Sequence, residues 1–315
     1  MVFMGIIVGM PILFYLLGKA ADIVITSVKN IGEMLRIKIF FLGILLGFLT
    51  SLPEVGIGIN ATIDGVSTIS VGNLLGGIVV LFSLVLGINV ALHRGIKMTE
   101  KTLTLSLVFA YFLLPLALAL DGFLSFIDGI FLVTTYFLLL AYLYRQHQEG
   151  HVHRTALINK KKLAKDFLLM LMGVAAILLI SDFIVYLAEL LLGYWSIRPF
   201  IVGLLMFSLG TNLPEIIVAV KSWSKNLKDL SLSNLIGSGL ANGLILGGLV
   251  LARPVNIVTG SNYYFLIFFM GVLFLSILHM FHTGKELTFK EGIILASLYF
   301  LFLFTQLSII FNDIT

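Results

Sequence analysis

The chain contains 315 residues, of which 59% are hydrophobic and only 11% are charged, and its formal net charge is +4. Soluble globular proteins carry about 25% charged residues, so this composition excludes an ordinary water-soluble domain. The chain has no cysteine, which excludes disulfide bonds and thiol chemistry. Its basic residues lie mainly in short connections. They give no indication of a nucleic-acid partner, and we expect the lipid bilayer to surround the chain.

Apolar runs of about 20 residues recur along the whole chain, long enough to cross a bilayer as helices. They predict an all-α polytopic membrane protein with ten transmembrane helices. The first run lacks a basic leader and a small-residue cleavage site, so we expect a retained span rather than a signal peptide. The spans are predicted near Val2–Val24, Ile37–Thr62, Ile69–Leu92, Leu103–Leu120, Leu124–Tyr144, Phe167–Leu192, Ile197–Ser222, Leu230–Leu251, Tyr263–Phe281 and Phe289–Ile310.

Lysine and arginine are distributed unequally between the two sides of these spans. The connections after odd-numbered helices hold 17 of them, and the opposite side holds only Arg198 and Arg253. The positive-inside rule therefore predicts that the basic connections are cytoplasmic and that both termini are extracytoplasmic.

The two halves of the chain repeat the same motifs. "TSLPE" (Thr50–Glu54) matches "TNLPE" (Thr211–Glu215), and "SVGNLLGG" (Ser70–Gly77) matches "SLSNLIGS" (Ser231–Ser238), both at an offset of 161 residues. We predict a first five-helix repeat over residues 1–144, a cytoplasmic linker over 145–165 and a second repeat over 166–315. Because each half holds an odd number of helices, the repeats must be inverted, as in many secondary transporters.

The Pro–Glu motifs combine a helix break with oxygen ligands. Pro53 and Pro214 lack a backbone N–H and free carbonyl groups about one turn earlier, which need partners inside a membrane. Glu54 and Glu215 follow directly, and a carboxylate there costs at least about 2.5 kcal/mol unless it is neutralised. Carbonyl, hydroxyl and carboxylate oxygens suit hard cations such as Na⁺, Ca²⁺ or Mg²⁺. The candidate ligands around the two breaks are Gly47, Thr50, Ser51, Glu54, Ser208, Thr211, Asn212 and Glu215.

The second pair of motifs adds further candidates. Asn73 and Asn234 stand near the beginning of the third and eighth helices, where interhelical hydrogen bonding is as reasonable a role as ion contact. Ser238 and Asn242 lie four residues apart on one helical face and are the better ligand candidates. The glycines, Gly77 included, favour close helix packing.

Together these motifs resemble the α-repeats of the cation/Ca²⁺ exchanger (CaCA) superfamily, particularly its prokaryotic sodium/calcium exchangers, over essentially the whole chain. The resemblance implies cation positions among helices 2, 3, 7 and 8, with Glu54 and Glu215 coordinating Ca²⁺. It implies Na⁺ binding by Thr50, Ser51, Thr211 and the carbonyls of Gly47 and Ser208. It further implies that helices 1 and 6 slide to alternate access. We expect the protein to lie in the cell membrane of a prokaryote. We expect neither a cofactor nor an obligate protein partner.

The chain departs from that branch at four positions. Asn242 stands where the family usually has Asp, Leu81 where it has Asn, and Gly77 and Asn212 where it has Ser. Leu81 removes a polar ligand, and Asn242 removes a titratable group. With two carboxylates, the predicted site carries two negative charges. We therefore hypothesise two monovalent ions or protons exchanged per divalent ion.

We predict a secondary active cation antiporter that exchanges Ca²⁺, or another divalent cation, for Na⁺ or H⁺ by alternating access. The alternative is a passive or monovalent-selective transporter or channel that has lost Ca²⁺ specificity. An intramembrane enzyme is disfavoured because H-E-x-x-H and G-x-S-x-G motifs are absent. Lesser features are a loop at His147–His153 as a possible metal site, Asp22 and Asp182 in corresponding helices, and Lys19, placed to pair with Asp22.

Overall fold

The computed structural model describes residues 2–35, 38–92, 96–97, 101–146, 160–192, 199–225, 227–257, 259–284 and 286–314. Its α-helices are α1 (Val2–Leu35), α2 (Ile39–Thr50), α3 (Leu52–Ile63), α4 (Thr68–Val79), α5 (Leu86–Leu92), α6 (Thr102–Leu118), α7 (Phe126–Gln146), α8 (Lys160–Leu192), α9 (Pro199–Ile201), α10 (Ser208–Thr211), α11 (Leu213–Ser224), α12 (Lys228–Ala252), α13 (Ser261–Gly284) and α14 (Phe289–Ile314). Wider π-helical turns occupy Val80–Val85 and Val202–Phe207, and a 3₁₀ turn occupies Ala119–Asp121.

Four two-residue strands among the described residues make the fold less purely helical than predicted. Strand β1 (Ile96–Lys97) pairs antiparallel with β4 (Glu286–Leu287), placing Ile96 opposite Leu287. Strand β2 (Phe123–Leu124) pairs in the same way with β3 (Val255–Asn256). Both pairs join connections between helices, where the backbone needs hydrogen bonds that no helix supplies.

Both predicted helix breaks are confirmed. The first falls at Ser51, between α2 and α3, and the second at Asn212, between α10 and α11. In each case the proline is the second residue of the following helix, where its missing N–H leaves no intrahelical bond unmade. The segments 202–211 and 213–224 are bent by 43° at the second break.

Several helix ends differ from the predicted spans. Helix α1 runs to Leu35, beyond the predicted Val24, and α8 begins at Lys160 rather than Phe167. Lysine is a good helix former, so a helix can extend beyond its apolar run into neighbouring polar residues. Part of the predicted linker over 145–165 is therefore helical.

Eight helical spans in the described part of the chain are long and apolar enough to cross a membrane, and the bent pair around Asn212 offers a ninth. Large apolar side chains such as Leu138 (67% exposed), Leu275 (69%) and Phe304 (69%) lie on the outer surface. In water such exposure would be unfavourable, whereas lipid tails accommodate it. The chain is a multi-pass membrane protein; the count of ten and the inversion of the repeats stay predictions.

The chain folds as two compact units, and each takes segments from both sequence halves. The first unit contains Met1–Pro53, Tyr144–Arg198 and Leu209–Ser238, and the second contains Glu54–Leu143, Pro199–Ser208 and Gly239–Thr315.

In the first unit, α1 packs along α8 and α11. Leu17, Val24 and Val28 of α1 are buried together with Val174 of α8. Gly173 allows this close approach, since a Cβ added there would lie 2.5 Å from Cγ2 of Val24.

In the second unit, α4 packs against the π-helical turns at Val202–Phe207, α5 against α14, and α6 against α13. The rings of Phe109 and Phe274 stack with their centroids 4.6 Å apart, and Phe82 and Phe112 complete the aromatic core.

The packing at Gly173 predicts the effect of one substitution. Replacing Gly173 by Val should destabilise the protein by about 1–3 kcal/mol, because the added side chain overpacks the α1–α8 contact. Thermal unfolding in detergent measures this. Gly271→Val is the matched control, since no atom lies within 4 Å of a Cβ added at Gly271. Equal melting temperatures for both variants would contradict the described packing.

Candidate cation-binding sites

A glycine-mediated crossing of α2 and α12 builds the site in the first unit. Gly43 and Gly47 lie one helical turn apart on α2, and a Cβ at Gly47 would lie 2.5 Å from the Asn234 carbonyl oxygen. A Cβ added at Gly237 of α12 would likewise lie 2.6 Å from the Cα atom of Ile44. Small residues at this spacing let two helix backbones approach closely. Gly43 lies outside the repeated motifs, although its four-residue spacing to Gly47 is a sequence signal for such a crossing.

The close crossing gathers oxygen atoms around the Gly47 carbonyl. Its oxygen lies 3.1 Å from Thr50 Oγ1, 2.9 Å from Ser51 Oγ and 3.2 Å from Ser238 Oγ, so each hydroxyl lies within hydrogen-bonding distance of it. Thr50 and Ser51 reach it because they end α2 one turn later. All three side chains are completely buried.

Glu215 completes this cluster, which we call the Glu215 site: Gly47, Thr50, Ser51, Glu215 and Ser238. The Glu215 side chain is completely buried, and its Oε1 accepts hydrogen bonds from Ser51 at 3.2 Å and Ser238 at 3.3 Å. Its Oε2 has no hydrogen-bond partner among the described residues. Glu215 lies in the first turn of α11, where the helix N-terminus stabilises a negative charge.

The chemistry of these atoms suits a hard cation. A hydroxyl donates in one orientation and offers its lone pairs in another, so Thr50, Ser51 and Ser238 can turn toward a cation. Carboxylate, hydroxyl and carbonyl oxygens are the ligands of Na⁺ and Ca²⁺ rather than of softer metals. Among the described residues, no three acidic or histidine side chains come together. Within the Glu215 site as defined here, Glu215 provides the negative charge.

The other candidates of the first unit lie at the second break and on α12. Thr211 ends α10 and is 3% exposed, and Asn212 occupies the break itself and is 1% exposed. Asn234 is completely buried in the second turn of α12. It therefore stands inside the helix, a little beyond the beginning expected from the sequence.

The second unit holds Glu54, which is 1% exposed and lies in the first turn of α3. Asn73 and Gly77 are buried within α4. Ser208 is completely buried; its hydroxyl donates to the Leu204 carbonyl at 2.5 Å.

Asn242, predicted as a ligand, is held by a backbone contact in the second unit. Its Nδ2 donates to the Leu74 carbonyl of α4 at 3.1 Å, while its Oδ1 has no partner among the described residues. Leu81 is completely buried within the π-helical turns at Val80–Val85. The departures from the family pattern thus place an apolar side chain and a neutral amide inside this unit.

The predicted pairing of Lys19 with Asp22 is wrong. The Lys19 ammonium lies 5.5 Å from the Tyr15 ring centroid, whereas Asp22 pairs with Lys221 at 3.4 Å and Lys225 at 3.3 Å. Gly18 leaves room for the Lys221 side chain to cross α1, since Lys221 Cε lies 3.3 Å from a Cβ added there. The Asp182 side chain and the loop His147–His153 lie outside the described residues.

Comparisons with known proteins agree with this architecture. The model of the family described as sodium/calcium exchanger protein matches residues 5–145 and 165–308. The sodium/calcium exchanger MaX1 of Methanosarcina acetivorans is 28% identical, with 90% of this chain and 93% of the relative covered. An uncharacterized membrane protein of Methanocaldococcus jannaschii is 24% identical, with 93% and 94% covered.

Among solved structures, the sodium-calcium exchanger NCX_Mj superposes with a TM-score of 0.80 at 22% identity, with 96% of this chain and 98% of that chain covered. This likeness establishes the fold. Buried glutamates behind helix breaks are consistent with the class of ion transporters, because an ionisable residue inside a membrane segment is usually functional. The chain belongs to the sodium/calcium exchanger protein family, a family of membrane antiporters, which confirms the resemblance noted from the motifs.

The crossing of α2 and α12 predicts a strict requirement for glycine at position 47. Gly47→Ala should weaken cation binding by at least about tenfold, because the methyl group separates the helices and displaces Ser238 from the Gly47 carbonyl. Isothermal titration with Na⁺ and Ca²⁺ measures the loss. Gly56→Ala is the control, since a Cβ at Gly56 meets no atom within 4 Å. Unchanged affinities in Gly47→Ala would refute this role of the crossing.

Proposed function

We propose that this protein is a secondary active cation antiporter that exchanges Ca²⁺, or another divalent cation, for Na⁺ or H⁺ by alternating access. The observation that carries the proposal is the completely buried Glu215 carboxylate, whose Oε1 lies among the hydroxyls of Ser51 and Ser238. A buried charge of this kind requires a cation or a proton to neutralise it.

The sequence repeat extends this reasoning to Glu54, which is buried to the same degree in the second unit. Both glutamates follow a proline in the first turn of a helix, so we assign both the same role in cation coordination. From the repeat we also predict that Glu54 and Glu215 coordinate the same cations.

We assign supporting roles to the neutral oxygens. Thr50, Ser51, Thr211 and the carbonyls of Gly47 and Ser208 are proposed Na⁺ ligands, as the family resemblance implies. Ser238 joins them on the strength of its 3.3 Å contact with Glu215. Asn73, Gly77, Asn212, Asn234 and Asn242 remain further candidates, either as ligands or as residues that position them.

The alternative is a monovalent-selective or passive cation transporter that has lost Ca²⁺ specificity. The buried Leu81 side chain favours it, because an apolar residue there offers no oxygen ligand to a divalent ion. The comparison of ⁴⁵Ca²⁺ uptake with Na⁺ uptake in the same proteoliposomes separates the two functions.

The location follows from the family and the charge distribution. Archaeal and bacterial relatives support a prokaryotic cell membrane. The excess of basic residues in the connections after odd-numbered helices supports extracytoplasmic termini.

Removing either carboxylate should abolish exchange. Glu54→Gln and Glu215→Gln keep the side-chain volume but remove the charge that a divalent ion requires, so Na⁺-gradient-driven ⁴⁵Ca²⁺ uptake should fall to the level of empty liposomes. Glu33→Gln, at an exposed position of α1, is the matched control and should transport like the natural protein. Transport at the natural rate by both site variants would overturn the assignment.

The number of carboxylates predicts how exchange responds to voltage. Two carboxylates balance one divalent ion or two monovalent ions, so exchange should be electroneutral. A potassium diffusion potential imposed with valinomycin should then leave the rate and the extent of Ca²⁺ uptake unchanged. Uptake that follows the imposed potential would contradict the two-for-one ratio while leaving the antiport assignment intact.

A further inference from the structure

A line of buried polar side chains runs along the contact between α11 and α12 in the first unit. We call it the α11–α12 seam: Glu215 and Ser222 of α11, with Ser231, Asn234 and Ser238 of α12. Their spacings of three, four and seven residues put the members on one face of each helix. All of them are 0% exposed.

Two contacts fix the register of the helices. Ser238 Oγ lies 3.3 Å from Glu215 Oε1, and Ser231 Oγ lies 3.3 Å from the Ala219 carbonyl oxygen. From the first contact to the second, the residue number rises on α11 (215 to 219) and falls on α12 (238 to 231), so the two helices run antiparallel. Ser222 therefore lies toward the connection between the helices and Glu215 lies about 10 Å away along α11.

The seam leaves polar atoms without protein partners. Both amide atoms of Asn234 and the hydroxyl of Ser222 have no hydrogen-bond partner among the described residues. Buried polar groups are almost always bonded to protein or to water, and several of them in one line provide the partners that buried water needs. Water molecules along the seam satisfy them best.

From this geometry we propose that the α11–α12 seam is a hydrated access path that admits water and small monovalent cations to Glu215 from the α11–α12 connection. The proposal rests on the proposed cation site at Glu215. It assigns Ser222, Ser231 and Asn234 to the lining of the path.

The sequence repeat indicates that this path is specific to one half. The position equivalent to Ser222 in the first half is Ala61, and that equivalent to Ser231 is Ser70. The polar line toward the α3–α4 connection is therefore interrupted by an apolar side chain. Access of this kind is expected beside Glu215 and not in the corresponding place beside Glu54.

The natural chain has no cysteine, so single cysteines test the path directly. We choose Ser222→Cys and Ser231→Cys, which change little in volume, and Ag⁺ as a monovalent thiol-reactive probe. The controls are Ile217→Cys, at a partly buried position, and Ile236→Cys, at a buried position, on the opposite faces of α11 and α12. The exposed Ser224→Cys identifies the side of the membrane on which the seam opens.

The expected result is modification of Ser222→Cys and Ser231→Cys at least about tenfold faster than the controls, because a thiol reacts as the thiolate and apolar surroundings disfavour that form. The faster reaction should occur only from the side on which Ser224→Cys reacts. The remaining free thiol is measured by alkylation and mass spectrometry after unfolding. Rates equal to those of the controls, or reaction from the opposite side, would overturn the proposal.

A second variant tests the order of access. Adding Ser222→Val to Ser231→Cys should slow Ag⁺ modification of the inner cysteine by about tenfold, since an apolar side chain removes a hydrogen-bonding partner from the seam. An unchanged rate in a protein that melts like the natural one would count against the path. These labelling rates are measured without ion transport, so they are independent of whether the antiport assignment holds.

Discussion

The cost of holding a carboxylate away from water is the constraint on which the rest of the site depends. Glu215 is completely buried, and an isolated charge there would be strongly unfavourable. The surrounding structure offsets that cost with two hydroxyl donors, the first turn of α11 and, as we propose, a cation. The break at Asn212, the proline after it and the glycines of α2 all serve to bring these groups to one carboxylate.

Much of this arrangement could be predicted from the sequence, because it depends on local chemistry. A proline followed by a glutamate in an apolar run predicts both the break and a buried charge, and the breaks are found at Ser51 and Asn212. The repeat offset predicted equivalent sites, since the same residues fold into the same local structure. The family resemblance came from the same motifs and is confirmed by the family match.

Features that depend on tertiary contacts could not be predicted in this way. The closeness of Lys19 and Asp22 in sequence favours their pairing, whereas Asp22 pairs with Lys221 of α11 and with Lys225, which directly follows that helix. The helical face that Asn242 shares with Ser238 predicts a ligand, but only the packed structure reveals that its amide nitrogen donates to the Leu74 carbonyl. Helix ends at Leu35 and Lys160 follow backbone propensity and packing rather than hydropathy.

The hydroxyls around the Gly47 carbonyl have a consequence for turnover. Thr50, Ser51 and Ser238 all lie within hydrogen-bonding distance of that carbonyl, and Ser51 and Ser238 can donate to Glu215 instead. At the cation site that we propose, an entering ion exchanges its own contacts for these internal hydrogen bonds, each with a net value of about 1 kcal/mol. This exchange reduces the net gain from binding, because the same hydroxyls, carbonyl and carboxylate can satisfy one another when the ion leaves. The proposed site is therefore suited to repeated binding and release rather than to tight retention.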